Sequence, residues 1–253
     1  MTRRRFYAPP SAFTLEYKNL TLEADEARHL RDVLRLRPGD EVYVFDGKGK
    51  EFQCQIEESR KDSARLKVLA AVPSARPESP LQLTLGLALL KGEKFDLVVQ
   101  KATELGVVRI VPVTTKLADI RLRDESDADK RVARWQRIAL EAAKQSGRAL
   151  VPEVTAPIPF AVLVEAQSDS YQCRLMFAER DGQSLLEFKY SLSEGCQSIT
   201  ALIGSEGGWT DDEISLARNN NWGVVTLGGR TLRAETAAIA VSVLLQHVFG
   251  DLV

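Results

Sequence analysis

Between Val72 and Pro80 the sequence VPSARPESP places three prolines in nine residues. Proline locks φ and has no backbone N–H to donate, so neither a helix nor a central strand can run through this segment. It predicts a boundary, with one domain over residues 1–72, a linker over 73–80 and a second domain over 81–253. The two sides also differ in rhythm. On the amino-terminal side, Glu41–Phe45 and Phe52–Ile56 carry strand-forming residues on either side of Asp46-Gly47-Lys48-Gly49-Lys50, a hairpin signal. Ala64–Leu69 alternates like a further strand, and Leu22 to Leu36 places Ala27, Leu30, Val33 and Leu34 at helical spacing before Pro38-Gly39-Asp40. A small, mostly β domain is expected.

After Pro80 the pattern becomes apolar strand followed by amphipathic helix, repeated. Leu83–Leu90, Arg109–Val113, Leu175–Ala178, Ile199–Ile203 and Val224–Leu227 read as strands. Helices are expected from Lys94 to Gly106, from Val132 to Gly147, after Thr210, where Thr210 and Glu213 match a capping box, and from Glu235 to Phe249. This alternation implies an α/β fold with a parallel sheet and a ligand crevice at the carboxyl ends of its strands.

Composition removes several function classes. The chain has 253 residues, 44% hydrophobic, and a formal charge of −1, which allows a sizeable core but does not advertise a polyanion partner. Cys54, Cys173 and Cys196 lack metal-ligand spacing and read as small apolar residues rather than a disulfide framework. With only His29 and His247 besides, neither a metal site nor a His-based relay is expected. No apolar run is long enough to span a bilayer, and Arg3-Arg4-Arg5 leads into Phe6-Tyr7-Ala8-Pro9-Pro10 rather than into a signal peptide, so a soluble cytoplasmic protein is expected. Dinucleotide, P-loop and nucleophile-elbow motifs are absent.

Two expected strands run into glycine turns, Ile203-Gly204-Ser205-Glu206-Gly207-Gly208 and Leu227-Gly228-Gly229-Arg230-Thr231-Leu232-Arg233. Glycine at a strand end permits positive φ and lets a ligand approach main-chain amides. Either turn alone fits a plain strand-to-helix connection. Two of them, closing strands expected to be neighbours and crowded with Glu206, Arg230, Arg233 and Glu235, point to a nucleoside-sized site.

At these residues the chain resembles the bacterial 16S ribosomal RNA uracil-N3 methyltransferases, of the SPOUT group of knotted methyltransferases. The likeness covers nearly the whole chain. It includes Arg4-Arg5-Phe6-Tyr7, His29-Leu30 with Val33–Leu36 and Gly39-Asp40, Gln100–Val107 with Ile110 and Pro112, Arg134-Trp135 with Ile138, and Glu141–Arg148. The two glycine turns correspond to the family's IGPEGG and LGxRxLRxETA motifs. This chain departs from the pattern at Ser205, Gly229 and Ala234, and over Val113–Asp119, where a Thr-Glu-Arg-Ser pattern is common.

The resemblance implies a PUA-like RNA-binding β-barrel domain followed by a SPOUT trefoil-knotted methyltransferase domain, a homodimer, and 16S ribosomal RNA as substrate within the small (30S) subunit. It implies S-adenosylmethionine as cofactor, held by Leu202, Ile203, Gly204, Glu206, Gly207, Gly208, Leu227, Gly228, Leu232, Arg233, Glu235 and Thr236. For catalysis it puts forward Arg233 or Arg230 to stabilise the uracil anion and Glu206 to hold the cofactor or relay the proton. Arg3, Arg4, Arg5, Arg31 and Arg35 are the expected RNA phosphate contacts. Two alternatives stay open: a SPOUT enzyme modifying another ribosomal or transfer RNA position, and a non-catalytic RNA-binding assembly factor.

Overall fold

A computed structural model of the chain describes residues 3–167, 172–191 and 196–252. Two compact units emerge, Met1–Glu78 with Leu140–Val151, and Ser79–Ala139 with Pro152–Val253.

The first unit holds β1 (Arg5–Tyr7), β2 (Asn19–Glu23), α1 (Ala24–Arg28), β3 (Glu41–Phe45), β4 (Glu51–Ser59) and β5 (Ser63–Val72). Its five strands are ordered β1-β3-β4-β5-β2. The β3–β4 hairpin closes as its composition dictates: Asp46 Oδ1 accepts from the amides of Lys48 at 2.7 Å and Lys50 at 3.0 Å, while Gly47 and Gly49 take positive φ. Phe6, Leu20, Leu22, Leu30, Val42, Val44, Ile56 and Leu66 fill the core. The expected helix from Leu22 is shorter, and after Arg28 it widens. The Leu34 amide reaches the His29 carbonyl, an i→i+5 bond. That wider turn breaks the 3.6-residue phase, so Ala27 and Leu30 are buried whereas Val33 and Leu34 face outward.

The second unit begins with β6 (Gln82–Ala88), α2 (Lys94–Glu104), β7 (Arg109–Thr114) and α3 (Glu125–Ser146), whose last turn groups with the first unit. It continues with β8 (Glu153–Val154), β9 (Ile158–Pro159), α4 (Phe160–Glu165), β10 (Gln172–Phe177), α5 (Leu185–Ser191), β11 (Ser198–Ile203), α6 (Asp211–Asn219), β12 (Gly223–Val225) and α7 (Ala234–Phe249). The sheet runs β12-β10-β11-β6-β7-β8, with β9 also on β7, and every pairing is parallel. Helix α3 starts two turns before its apolar stripe does. Its first residues are polar on all sides, and the end is secured by Asp124 Oδ1 accepting from the Asp127 amide at 2.8 Å. Thr210 and Glu213 form the expected capping box on α6.

Two sequence expectations need correction. Strands β11 and β12 are not neighbours, because β10 lies between them, and crossover order leaves no trace in hydrophobic periodicity. Cys173 and Cys196 are joined by a disulfide, their Cα atoms 6.5 Å apart. The parallel register of β10 and β11, which sets Cys173 opposite Ile199, brings together two cysteines 23 residues apart in sequence. Cys54 remains a free thiol, its pKa pushed up to about 12 by burial. Among the described residues no helix is long and apolar enough to cross a membrane, and no cluster of three or more His, Cys, Asp or Glu could hold a metal ion.

Candidate functional site

The chain leaving β10, β11 and β12 forms the walls of a half-open crevice of about 180 Å³ at the carboxyl ends of these strands. Phe177, Ala178 and Glu179 come from the end of β10. Gly204, Ser205, Gly208 and Trp209 come from the first glycine turn, and Thr226 to Leu232 from the second. Two strand spacings of about 4.8 Å set the glycine turns roughly 10 Å apart, with β10 as the floor between them.

The first turn is tightly built. The Gly208 amide donates to the Ser205 carbonyl at 2.9 Å, and Gly208 takes φ +68°. Trp209 is buried, its Nε1 donating to the Phe177 carbonyl at 2.8 Å, and a Cβ on Gly204 would lie 3.0 Å from the indole. Glycine at 204 therefore lets the tryptophan seal the base of the crevice. A Cβ on Gly207 would meet the Leu117 carbonyl at 2.8 Å, so this turn packs backbone to backbone on the loop after β7.

The second turn is open. Gly228 and Gly229 have φ +73° and +76°, with nothing within 4 Å of where a Cβ would stand. Arg230 and Arg233 are exposed, and the side chain of neither makes a hydrogen bond or salt bridge to the described residues. Arg233 caps the amino end of α7 through its backbone, which directs the helix's free amides and positive dipole end toward the turn.

Lys94, at the start of α2, links the two motifs. Its ammonium donates to Glu206 Oε1 at 2.7 Å and lies 3.8 Å from Glu235 Oε2. The Lys94 pKa is raised, first by that hydrogen bond and then by the charges of both carboxylates. Partial burial pushes the Glu206 carboxyl up, but the hydrogen bond from Lys94, a backbone N–H and the Lys94 and Lys91 charges together outweigh it, leaving its pKa below the ordinary value.

Of the residues expected at the cofactor site, Ile203, Gly204, Gly208, Leu227, Gly228 and Leu232 line the crevice, as does Arg230. Others do not reach its wall. Leu202 packs its side chain into the apolar cluster with Met176 and Trp209, Glu206 is held by Lys94, and Gly207 faces Leu117. Arg233, Glu235 and Thr236 sit at the first turn of α7. The β10 wall was missed, since Phe177-Ala178-Glu179 contains no glycine to mark it; the charged Glu179-Arg180-Asp181 following an apolar strand was the available signal.

The arginines expected to meet RNA divide. Arg5 is buried in the first unit: it is salt-bridged to Glu51 at 3.0 Å, donates to the Lys144 and Arg148 carbonyls and stacks on Phe45. Glu51 is itself fully buried, so an unpaired charge there would be strongly unfavourable, and Arg5 is committed to it rather than free for a phosphate. Arg3 shares Glu51 and stacks on Tyr43, and Arg31 is held by Asp32 and the carbonyls of Arg60 and Lys61. Arg4 and Arg35 are exposed and form no salt bridge with the described residues.

Residues 77–246 match the RNA methyltransferase domain family and residues 22–69 the RNA methyltransferase PUA domain. A parallel α/β unit with a crevice at its strand ends, preceded by a PUA-type β unit, defines the class: this is an RNA methyltransferase. The chain is 36% identical to a ribosomal RNA small subunit methyltransferase E from Synechocystis, over 86% of this chain and 69% of that protein. It is 30% identical to the Bacillus subtilis protein of the same name, over 93% and 94%. The crystal structure of a ribosomal RNA small subunit methyltransferase E from Neisseria gonorrhoeae, bound to S-adenosyl methionine, superposes with a TM-score of 0.86 at 33% identity, covering all of both chains. The chain belongs to the ribosomal RNA small subunit methyltransferase E family.

Proposed function

We propose that this protein transfers a methyl group from S-adenosylmethionine to N3 of a uridine in 16S ribosomal RNA. The observation that carries the reading is the crevice in which both glycine turns and the end of β10 meet, in a chain of this family. The residues present fit the cofactor. The crevice opens at the carboxyl ends of three strands, and the positive φ of Gly208, Gly228 and Gly229 makes a backbone cradle without Cβ atoms. Ile203, Gly204, Gly208, Leu227, Gly228 and Leu232 would hold the nucleoside, with Leu202 and Gly207 fixing the first turn from behind, and Glu235 and Thr236 the start of α7. S-adenosylmethionine supplies an electrophilic methyl for in-line displacement.

A uracil ring attacks through N3 only as its imide proton passes to solvent water, so negative charge develops on the ring as the N3–methyl bond forms and the sulfonium–methyl bond breaks. Arg230, on the crevice wall, and Arg233, at the amino end of α7, are permanently charged and otherwise unengaged, which suits them to stabilise that charge. Glu206 is assigned to bracing rather than proton relay, because Lys94 occupies its carboxylate and depresses its basicity. N3 lies on the Watson–Crick edge, so the target uridine must be unpaired or splayed out.

Residues 1–72 are assigned to RNA binding, with Arg4 and Arg35 as the available phosphate contacts and Arg31 secondary to them. Residues 81–253 carry the transfer, joined through 73–80. The protein acts as a homodimer on RNA of the 30S subunit in the cytoplasm. The exposed Val243 and Leu244 on α7 support an intersubunit role for that helix. Mass spectrometry of 16S ribosomal RNA from a deletion strain tests the reading: loss of one N3-methyluridine, restored by the wild-type chain and not by Arg230→Ala/Arg233→Ala, is the expected result. Unchanged 16S RNA, or loss of a mark elsewhere, would sink it.

A further inference from the structure

We propose that Glu179 recognises the positively charged methionyl end of the cofactor; this rests on the crevice being the S-adenosylmethionine site. Among the described residues, two charged ones line the crevice, Glu179 and Arg230. The bound ligand brings a sulfonium and an ammonium group, and entering a partly enclosed site strips both of water, which is unfavourable unless an anion meets them. The other carboxylates around the two turns already face cations, although Glu235 Oε2 makes no hydrogen bond. Glu206 and Glu235 lie on Lys94, Asp211 accepts from Arg180 at 2.6 Å, and Asp212 accepts from Lys116 at 2.9 Å.

Glu179 is different. It forms no hydrogen bond or salt bridge with the described residues, and Arg180, the cation that senses its charge, is committed to Asp211 and the Trp209 carbonyl. Its position follows from the sheet order. Being two residues past the end of β10, it stands between the two glycine turns, and its oxygens lie 3.5 and 3.7 Å from where a Gly208 Cβ would be. The carboxylate lies against Gly208, on the first turn where it lines the crevice. Glu179 thus supplies the charge complement that the glycine cradle, made of neutral backbone, lacks.

Calorimetric titration of the full chain with two ligands tests this. S-adenosylmethionine carries the charged methionyl end, and 5′-methylthioadenosine has the same adenosine but no charge. Glu179→Gln is expected to weaken S-adenosylmethionine by about ten-fold or more, the size of a partly screened charge pair, and to leave methylthioadenosine within about two-fold. Glu179→Asp should recover part of the loss, and unchanged methylthioadenosine binding doubles as the check that the crevice is intact. Equal weakening of both ligands would overturn the proposal, placing the carboxylate on the ribose hydroxyls instead, and so would no weakening of either. A wild-type chain that binds neither ligand would overturn the crevice assignment itself, whereas a wild-type chain that binds both with Glu179→Gln unaffected would overturn only the role of Glu179.

Discussion

The two glycine turns occupy matching places, each at the carboxyl end of a strand beside β10, yet they are built in opposite ways. The first is cross-braced: its own backbone bond, a buried Trp209, Leu117 behind Gly207 and Lys94 on Glu206 all fix it. The second has one short-range bond, from the Arg230 amide to the Gly228 carbonyl, and a row of exposed residues from Gly228 to Arg233. A rigid wall facing a loose one is a site that is half preformed. The loose side can close on a ligand and place its arginines as it does so, and that ordering draws on binding free energy.

Stability should expose the asymmetry most strongly. Trp209→Ala empties a buried aromatic site and is expected to destabilise the protein by about 3–5 kcal/mol in urea unfolding. Leu232→Ala, at 37% exposure in the second turn, should change it by less than about 0.5 kcal/mol. Comparable losses from both would show that the second turn is as firmly built as the first.

Chemistry should respond in the reverse sense. Arg233→Ala removes a side chain that forms no hydrogen bond or salt bridge with the described residues, so unfolding should be nearly unchanged while kcat for methyl transfer falls by about 100- to 1,000-fold, as for loss of one charge-stabilising donor. A wild-type kcat would remove Arg233 from the reaction and leave Arg230 to carry the charge.

A smaller effect tests the cradle. At Gly228, φ is +73° with open space around it, so Gly228→Ala introduces conformational strain without a clash, worth about 1–2 kcal/mol. If the second turn orders only around ligand, that strain should surface mainly as weaker S-adenosylmethionine binding, with little change in the unfolding midpoint. A change confined to stability would mean that the turn is already fixed without ligand.

How far the sequence foretold this arrangement depends on whether a feature is local. Both turns were legible because an apolar run ending in glycines is contiguous, and the capping box at Thr210 for the same reason. The β10 floor was not legible, since which strand separates β11 from β12 is decided by crossover order. Arg5 looked like a surface cation because its partner Glu51 is 46 residues away and buried beneath it. The early turns of α3 and the Cys173–Cys196 disulfide were hidden similarly, one by an all-polar start and the other by a register no motif records.

The weakest expected effect concerns the brace between the turns, and it is a matter of sign. Glu206 has a lowered pKa, so its pairing contributes fully above the ordinary carboxylate pKa and is lost as pH falls through the lower folded value. Lys94 has a raised pKa, so its contribution is complete below the ordinary lysine pKa and is lost as pH rises through the higher folded value. The brace should therefore be indifferent to pH between roughly 6 and 9, and affinity for 5′-methylthioadenosine, which lacks the α-amino group that titrates in this range, should be flat across it. Lys94→Met sharpens the test. With the ammonium gone, burial acts on Glu206 unopposed by its main partner, and the acid-side loss of affinity should move to higher pH. An acid limit that stays where it was would mean that Lys94 does not hold the first turn through Glu206, and the rigidity of that wall would then rest on Trp209 and the backbone alone.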